Sequence, residues 1–382
     1  MAKKKKIRAD FRKNRNVRAR PTDWTRKFEQ HGFQDEAPQQ SERISGKGDL
    51  VRKRTVCGDA QQGEEDRPGL DVHLQVDESV CHRGRVLSVF GLNCSVEEDA
   101  TGVVYQCVTR RLLKTLSTDQ RHVVAAGDLV FFRPSENASP PEGIIERVEP
   151  RHGCVCRAVR GRQHVLVANV DQLAIVTSAA EPRLKPNLID RLLLTAEKGR
   201  VRPIICINKI DLVDPASLQP LVGVYSQMGY EVLLISAATG VGVERFRKAL
   251  IGRENVVAGQ SGVGKSSLLN AIDPSLSLRV QAVSEENDKG KHTTTTARLL
   301  PLQGGGYVVD TPGIRQFQLW DVIPAEVAGY YRDLRPYVNL CRFPDCTHTH
   351  EEGCAVKNAV ADGWLDERRY ESYCHLFEGG MD

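Results

Sequence analysis

The chain has 382 residues, 40% hydrophobic and 27% charged, with 53 Lys and Arg against 49 Asp and Glu for a net charge of +4. That length predicts two or three domains, and no apolar run reaches the ~18–20 residues of a bilayer span, which excludes an integral membrane protein. Eleven cysteines at uneven spacing argue against a disulfide framework, and no apolar segment follows the basic start, so a cytoplasmic protein is expected.

Charge is distributed unevenly. Residues 1–20 hold ten Lys or Arg, from Lys3 to Arg20, against the single acid Asp10, a local +9 that leaves the other 362 residues at −5. A basic arm on a mildly acidic body points to a polyanion such as nucleic acid, although the same arm also serves as a solvated tail. From Thr22 to about Gly69 the composition is polar, with too few apolar residues in register to offset the entropy of ordering. Residues 1–70 are therefore predicted to be a basic, mostly disordered extension.

Short alternating runs follow: Gly84–Phe90, Asn93–Glu97, Gly102–Thr109, Gly127–Arg133 and Gly143–Val148, separated by turns rich in Gly, Asp, Asn and Pro. Five short strands in roughly 75 residues predict a small OB-like barrel over 71–159. Barrels of that type bind oligonucleotides on one face, where Arg110, Arg111 and Lys114 either make contacts or solvate a loop. Over 160–322, apolar strands alternate with helical patterns, the signature of an α/β parallel sheet covered on both faces. Residues 323–382 read as helix, a Cys/His cluster and a helical tail. In that tail Tyr370, Tyr373, Cys374 and Phe377 recur at helical spacing and predict core packing.

The chemistry begins at Asn208-Lys209-Ile210-Asp211, which ends the strand Pro203–Ile207 and matches N-K-x-D. A carboxylate there accepts from guanine N1–H and the 2-amino group, donors that adenine lacks, so the pattern selects guanine over adenine. Asn208 adds polar contacts on the base side and the Lys209 stem packs across the ring. Ser236-Ala237-Ala238 fits the companion loop whose backbone N–H meets the base carbonyl. Next, Gly259-Gln260-Ser261-Gly262-Val263-Gly264-Lys265-Ser266 satisfies G-x-x-x-x-G-K-[ST] between an apolar strand and a helix that opens on Ser267. Glycines let backbone N–H groups turn toward phosphate oxygens, and the helix N-terminus adds partial positive charge. Lys265 reaches the β- and γ-phosphates, and the Ser266 hydroxyl suits Mg²⁺. Gly290-Lys291-His292-Thr293-Thr294-Thr295-Thr296 lies in a polar stretch placed to act as a switch, with Thr294 the candidate Mg²⁺ ligand. Asp310-Thr311-Pro312-Gly313 then matches D-x-x-G, in which the Asp serves Mg²⁺ and the Gly N–H senses the γ-phosphate. Finally, Cys341, Cys346, His348 and Cys354 supply three thiolates and an imidazole, a closed set that suits a structural tetrahedral Zn²⁺, with His350 as an alternative ligand.

In ordinary GTPases the phosphate loop comes first and N-K-x-D late; here N-K-x-D precedes it. The order is that of a circular permutation, which a compact domain tolerates because its termini lie close together. Permuted order, an N-terminal OB-like barrel and a C-terminal Cys/His cluster resemble the RsgA (YjeQ) family of small ribosomal subunit biogenesis GTPases over roughly residues 80–380. The resemblance implies a permuted P-loop GTPase fold and a slow GTP hydrolase stimulated by the small ribosomal subunit, whose rRNA it contacts. It also implies GTP or GDP with Mg²⁺, one structural Zn²⁺ on Cys341, Cys346, His348 and Cys354, and a monomer without a membrane partner. Ile314 stands where many GTPases carry the glutamine that orients water, which makes His292 the candidate for that task beside Lys265 and Thr294. A rival reading is an RNA-binding protein that uses GTP as a structural or sensing ligand.

Overall fold

The computed structural model describes residues 6–10, 53–60, 72–110, 113, 123–135, 139–159, 162–278, 297–310 and 324–379. At the start of the chain, β1 (Lys6–Asp10), β2 (Lys53–Ala60) and β3 (Val72–Leu74) form an antiparallel sheet in that order. Within residues 1–70, expected to be mostly disordered, the described residues are those of β1 and β2. Backbone pairing to β3, which leads into the barrel, supplies a template that composition alone does not reveal.

The barrel comprises β4 (His82–Phe90), β5 (Asn93–Glu98), β6 (Val104–Thr109), β7 (Leu129–Pro134) and β8 (Glu142–Val148). Neighbours run β4-β5-β6-β8-β7, and β7 pairs back onto β4 to close it. Only β6 and β8 pair in parallel. Alternation in these strands sends Val86, Val96, Val130, Phe132 and Ile145 inward, each at 0% exposure, and Leu74 of β3 joins that core.

Next come β9 (Cys154–Val159) and β10 (Arg162–Ala168), an antiparallel hairpin. Val155 and Val167 pack into the α/β core, so the boundary drawn at residue 159 from composition falls inside one structural unit. Cys154 and Cys156 are buried there.

The α/β domain contains β11 (Gln172–Ser178), α1 (Pro186–Gly199), β12 (Arg202–Asn208), α2 (Gln219–Gln227), β13 (Glu231–Leu234), α3 (Val243–Leu250), β14 (Glu254–Ala258), α4 (Lys265–Ile272), β15 (Arg298–Pro301) and β16 (Tyr307–Asp310). The sheet order is β13-β12-β11-β14-β16-β15, parallel except for β15. All seven residues of β11 are buried, as a central strand covered on both faces requires. Leu173 and Ile175 face α1, while Ala174 and Val176 face α3 and α4. Pro186 at the first turn and Arg200, left-handed at φ 54°, bound α1.

Arg298 of β15 pairs with Ser88 of β4, so the α/β sheet runs on into the barrel. Arg85 meets Glu254 at 2.9 Å and the Tyr307 hydroxyl donates to Glu97 at 2.6 Å. Both contacts grip the first residues of β14 and β16, at the end of those strands away from the phosphate loop. The chain ends in α5 (Pro324–Tyr330), α6 (Arg335–Val338), α7 (Ala355–Ala361) and α8 (Glu367–Phe377), around Val327, Tyr331, Leu334, Val356 and Tyr373. Among the described residues no helix is long and apolar enough to cross a membrane.

Candidate nucleotide site and metal centre

The carboxyl ends of β13, β12, β11 and β14 lie side by side in that order, where open α/β sheets bind ligands. Asn208, 1% exposed, ends β12. Its Nδ2 donates to the Val263 carbonyl in the phosphate loop at 2.8 Å, and its Oδ1 accepts from the Ala237 N–H at 3.1 Å. One side chain therefore joins three motifs that are far apart in sequence. The same bond takes the Ala237 N–H, one of the backbone donors of the loop expected to meet the base carbonyl, into the protein's own network.

Ser236, fully buried, donates from Oγ to Asp211 Oδ1 at 2.5 Å and accepts from the Thr239 N–H at 3.1 Å. The Asp211 carboxylate is thus oriented yet exposed. Lys209 adopts a left-handed φ of 61°, and its Nζ donates to the Glu181 carbonyl. Ile210 is buried beneath it as the first residue of a short 3₁₀ turn.

The phosphate loop leaves β14 at Gly259 and enters α4 at Lys265. Its backbone is shaped by neighbours as well as by phosphate chemistry. Gly264 has φ 94°, and a Cβ there would lie 2.4 Å from Asn208 Nδ2. Gly262 is likewise positive, at φ 80°. Gly264→Ala combines left-handed strain with that contact, displacing Asn208 and with it both Val263 and Ala237. We expect it to weaken GDP binding at least about thirtyfold while the barrel and metal centre stay folded; calorimetric affinity within threefold of wild type would refute this.

Lys265 Nζ donates to the Gly259 and Gln260 carbonyls at 2.8 and 2.7 Å, which holds the ammonium over the loop. Ser261 is exposed, and Ser266 and Ser267, in the first turn of α4, are partly buried. Asp310 ends β16 beside β14, at the same edge of the sheet. Its side chain, together with His292, Thr294 and Gly313, lies outside the described residues. Arg111 and Lys114 do as well. Arg110 is described, and Glu146 holds its guanidinium at 2.6 Å.

The candidate metal centre sits between α6 and α7. Ligand atoms of Cys341, Cys346, His348 and Cys354 all lie within 4.8 Å of one another. His348 Nδ1 is 3.4 Å from Cys341 Sγ and 3.5 Å from Cys354 Sγ, and those two sulfurs are 3.9 Å apart. Tetrahedral Zn²⁺ with ordinary bond lengths requires about 3.5 Å between nitrogen and sulfur and about 3.8 Å between sulfurs. The residues fit zinc. Burial pushes the Cys346 thiol up to about 12 and raises Cys354, so a dication is what would hold them as thiolates. Burial also lowers His348, favouring the neutral imidazole that a metal needs. Two tyrosines of α8 fix the loop: the Tyr370 hydroxyl donates to the His348 carbonyl and Tyr373 to that of Thr347, each at 2.7 Å. His350 is exposed and paired with Thr349, apart from the cluster.

Sequence reasoning missed the contact that carries this tail onto the α/β domain. Arg369 of α8 bonds Asp190 of α1 across 179 residues, and no local pattern signals such a pairing.

Residues 148–320 match the model of the RsgA GTPase family. The chain is 42% identical over 301 residues to the small ribosomal subunit biogenesis GTPase RsgA of Sodalis glossinidius, covering 77% of this chain and 85% of the relative. Its counterpart in Yersinia enterocolitica is 40% identical over 304 residues, with 77% and 84% covered. Among solved structures, YjeQ from Thermotoga maritima superposes with a TM-score of 0.64 at 35% identity, over 78% of this chain and 98% of that one. YloQ, described as a circularly permuted GTPase, gives 0.61 at 28% identity, over 80% and 98%.

Proposed function

Because the chain belongs to the RsgA GTPase family, we propose that it hydrolyses GTP while bound to the small ribosomal subunit, assists the late maturation of that subunit, and leaves after hydrolysis. The observation that carries this reading is the convergence on Asn208 of three motifs read from the sequence: N-K-x-D, the Ser236 loop and the phosphate loop.

In this reading Asp211 and Asn208 select guanine, Lys209 covers the base, and the Ser236–Ala237 loop closes its far edge. Residues Gly259 to Ser267 cradle the phosphates, with Lys265 as their point charge. Ser266, Thr294 and Asp310 offer hard oxygen donors that suit Mg²⁺, which neutralises charge developing on the phosphates when bound. Gly313 senses the γ-phosphate, and His292 positions water where Ile314 cannot. Zinc on Cys341, Cys346, His348 and Cys354 holds the C-terminal helices. Barrel, C-terminal domain and the basic arm from Lys3 to Arg20 contact rRNA, and the protein works as a cytoplasmic monomer.

Phosphate release measured with and without purified small subunits tests the proposal. Slow turnover alone and stimulation of at least about tenfold by subunits is the expected result. No turnover in either condition would leave an RNA-binding protein with GTP as a sensing ligand. His292→Ala should lower kcat in the stimulated reaction and leave GDP affinity alone.

A further inference from the structure

The C-terminal helices dock on the α/β domain through α1, and the contact is built from buried charge. Arg369 is 3% exposed and Asp190 2%. The Arg369 guanidinium places two nitrogens on the Asp333 carboxylate, both at 2.9 Å, and donates from Nη1 to Asp190 Oδ1 at 2.5 Å. Asp190 also accepts from the Tyr225 hydroxyl at 2.7 Å, and that hydroxyl lies 3.5 Å from the Pro186 carbonyl at the start of α1. Farther along the helix, Lys198 meets Glu326 and Arg332 meets Glu197. Leu194 of α1 is buried in the core of the C-terminal domain itself.

Burying such charges carries a desolvation cost that apolar packing avoids, and what it provides is a fixed geometry. That geometry reaches the base half of the nucleotide site. Pro186 follows the loop 179–185, whose Glu181 carbonyl accepts from Lys209 Nζ and from Ser178 Oγ. The phosphate loop and α4 pack on the opposite face of the sheet from α1.

We infer that Arg369 and Asp190 are positioning residues for the guanine subsite: the docked C-terminal domain fixes α1 and, through loop 179–185, the side chain of Lys209. This rests on the reading of Asn208–Asp211 as the guanine motif. The domain that carries the metal cluster thereby supports the base half of the site rather than its phosphate half, so its docking affects GDP and GTP equally.

The test uses the full chain with Asp190→Asn and Arg369→Gln together, which removes both charges and leaves hydrogen-bonding groups in place. Zinc content and circular dichroism establish the fold, and titration with GDP and GTP gives the affinities. Both nucleotides should bind about tenfold more weakly with their ratio unchanged. Unaltered affinity in a folded, zinc-loaded variant overturns the inference, as does a change confined to GTP. Should the double variant not fold, Tyr225→Phe keeps both charges and removes only the hydroxyl; about threefold weaker binding of both nucleotides is expected, and none at all refutes the role. Equal binding of ADP and GDP by the unsubstituted chain would instead remove the guanine reading, and this inference with it.

Discussion

Asp211→Asn is expected to abolish GTP binding at ordinary concentrations, with a loss of about a thousandfold or more, and to create a preference for xanthosine triphosphate. The carboxylate presents only acceptors, and Ser236 Oγ orients it through Oδ1 at 2.5 Å. An amide in its place keeps one oxygen for Ser236 and turns an NH₂ toward the base. Guanine offers N1–H and a 2-amino group, so donor would face donor and the bound base would lose an acceptor it needs. Xanthine carries a carbonyl at C2 and restores the pairing. Competition titration with both triphosphates decides the matter. If the variant binds GTP as tightly as wild type, Asp211 does not read the base.

Removal of the metal proposed for the Cys341, Cys346, His348 and Cys354 cluster should have an effect of similar size on a different part of the molecule. The C-terminal helices are short, of 7, 4, 7 and 11 residues, too short to persist without tertiary support. Their core is completed by Cys354, 2% exposed, and by His348, also 2%, in a left-handed conformation at φ 61°. Structural zinc contributes on the order of 10–16 kcal/mol to small metal domains, comparable to the whole stability of a typical domain. Cys354→Ser is therefore expected to lose the metal and melt α5 to α8. The near-ultraviolet signal of Tyr331, Tyr370 and Tyr373 should vanish, while the barrel retains its own transition. A metal-free variant with unaltered helicity and tyrosine signal would show that packing alone holds the domain.

Much of the candidate site is legible in the chain because its chemistry needs contiguous residues. A phosphate cradle requires glycines at set spacing before a helix, and guanine selection requires Asn and Asp three apart at a strand end. The metal set falls within 14 residues, Cys341 to Cys354, and a four-ligand cluster is what the structure assembles. Alternation in β4 to β8 likewise announces a barrel, since one face of each strand is buried.

What the chain could not disclose is held by partners distant in sequence. Asn208 reaches Val263 across 55 residues and Arg369 reaches Asp190 across 179. Strand β1 pairs with β2 over a long intervening stretch, and a polar composition gives no sign of it. The join of barrel and α/β sheet at Arg298 and Ser88 has no local signature either. Motif and period are local consequences of bonding geometry, and a single sequence displays them. Which buried charge meets which, and which sheet edge continues into which, depends on surfaces that exist only once the chain has packed. The amino-acid order determined the guanine-nucleotide motifs and a Cys/His set that fits zinc; the tertiary structure decided how the domains around those sites are held.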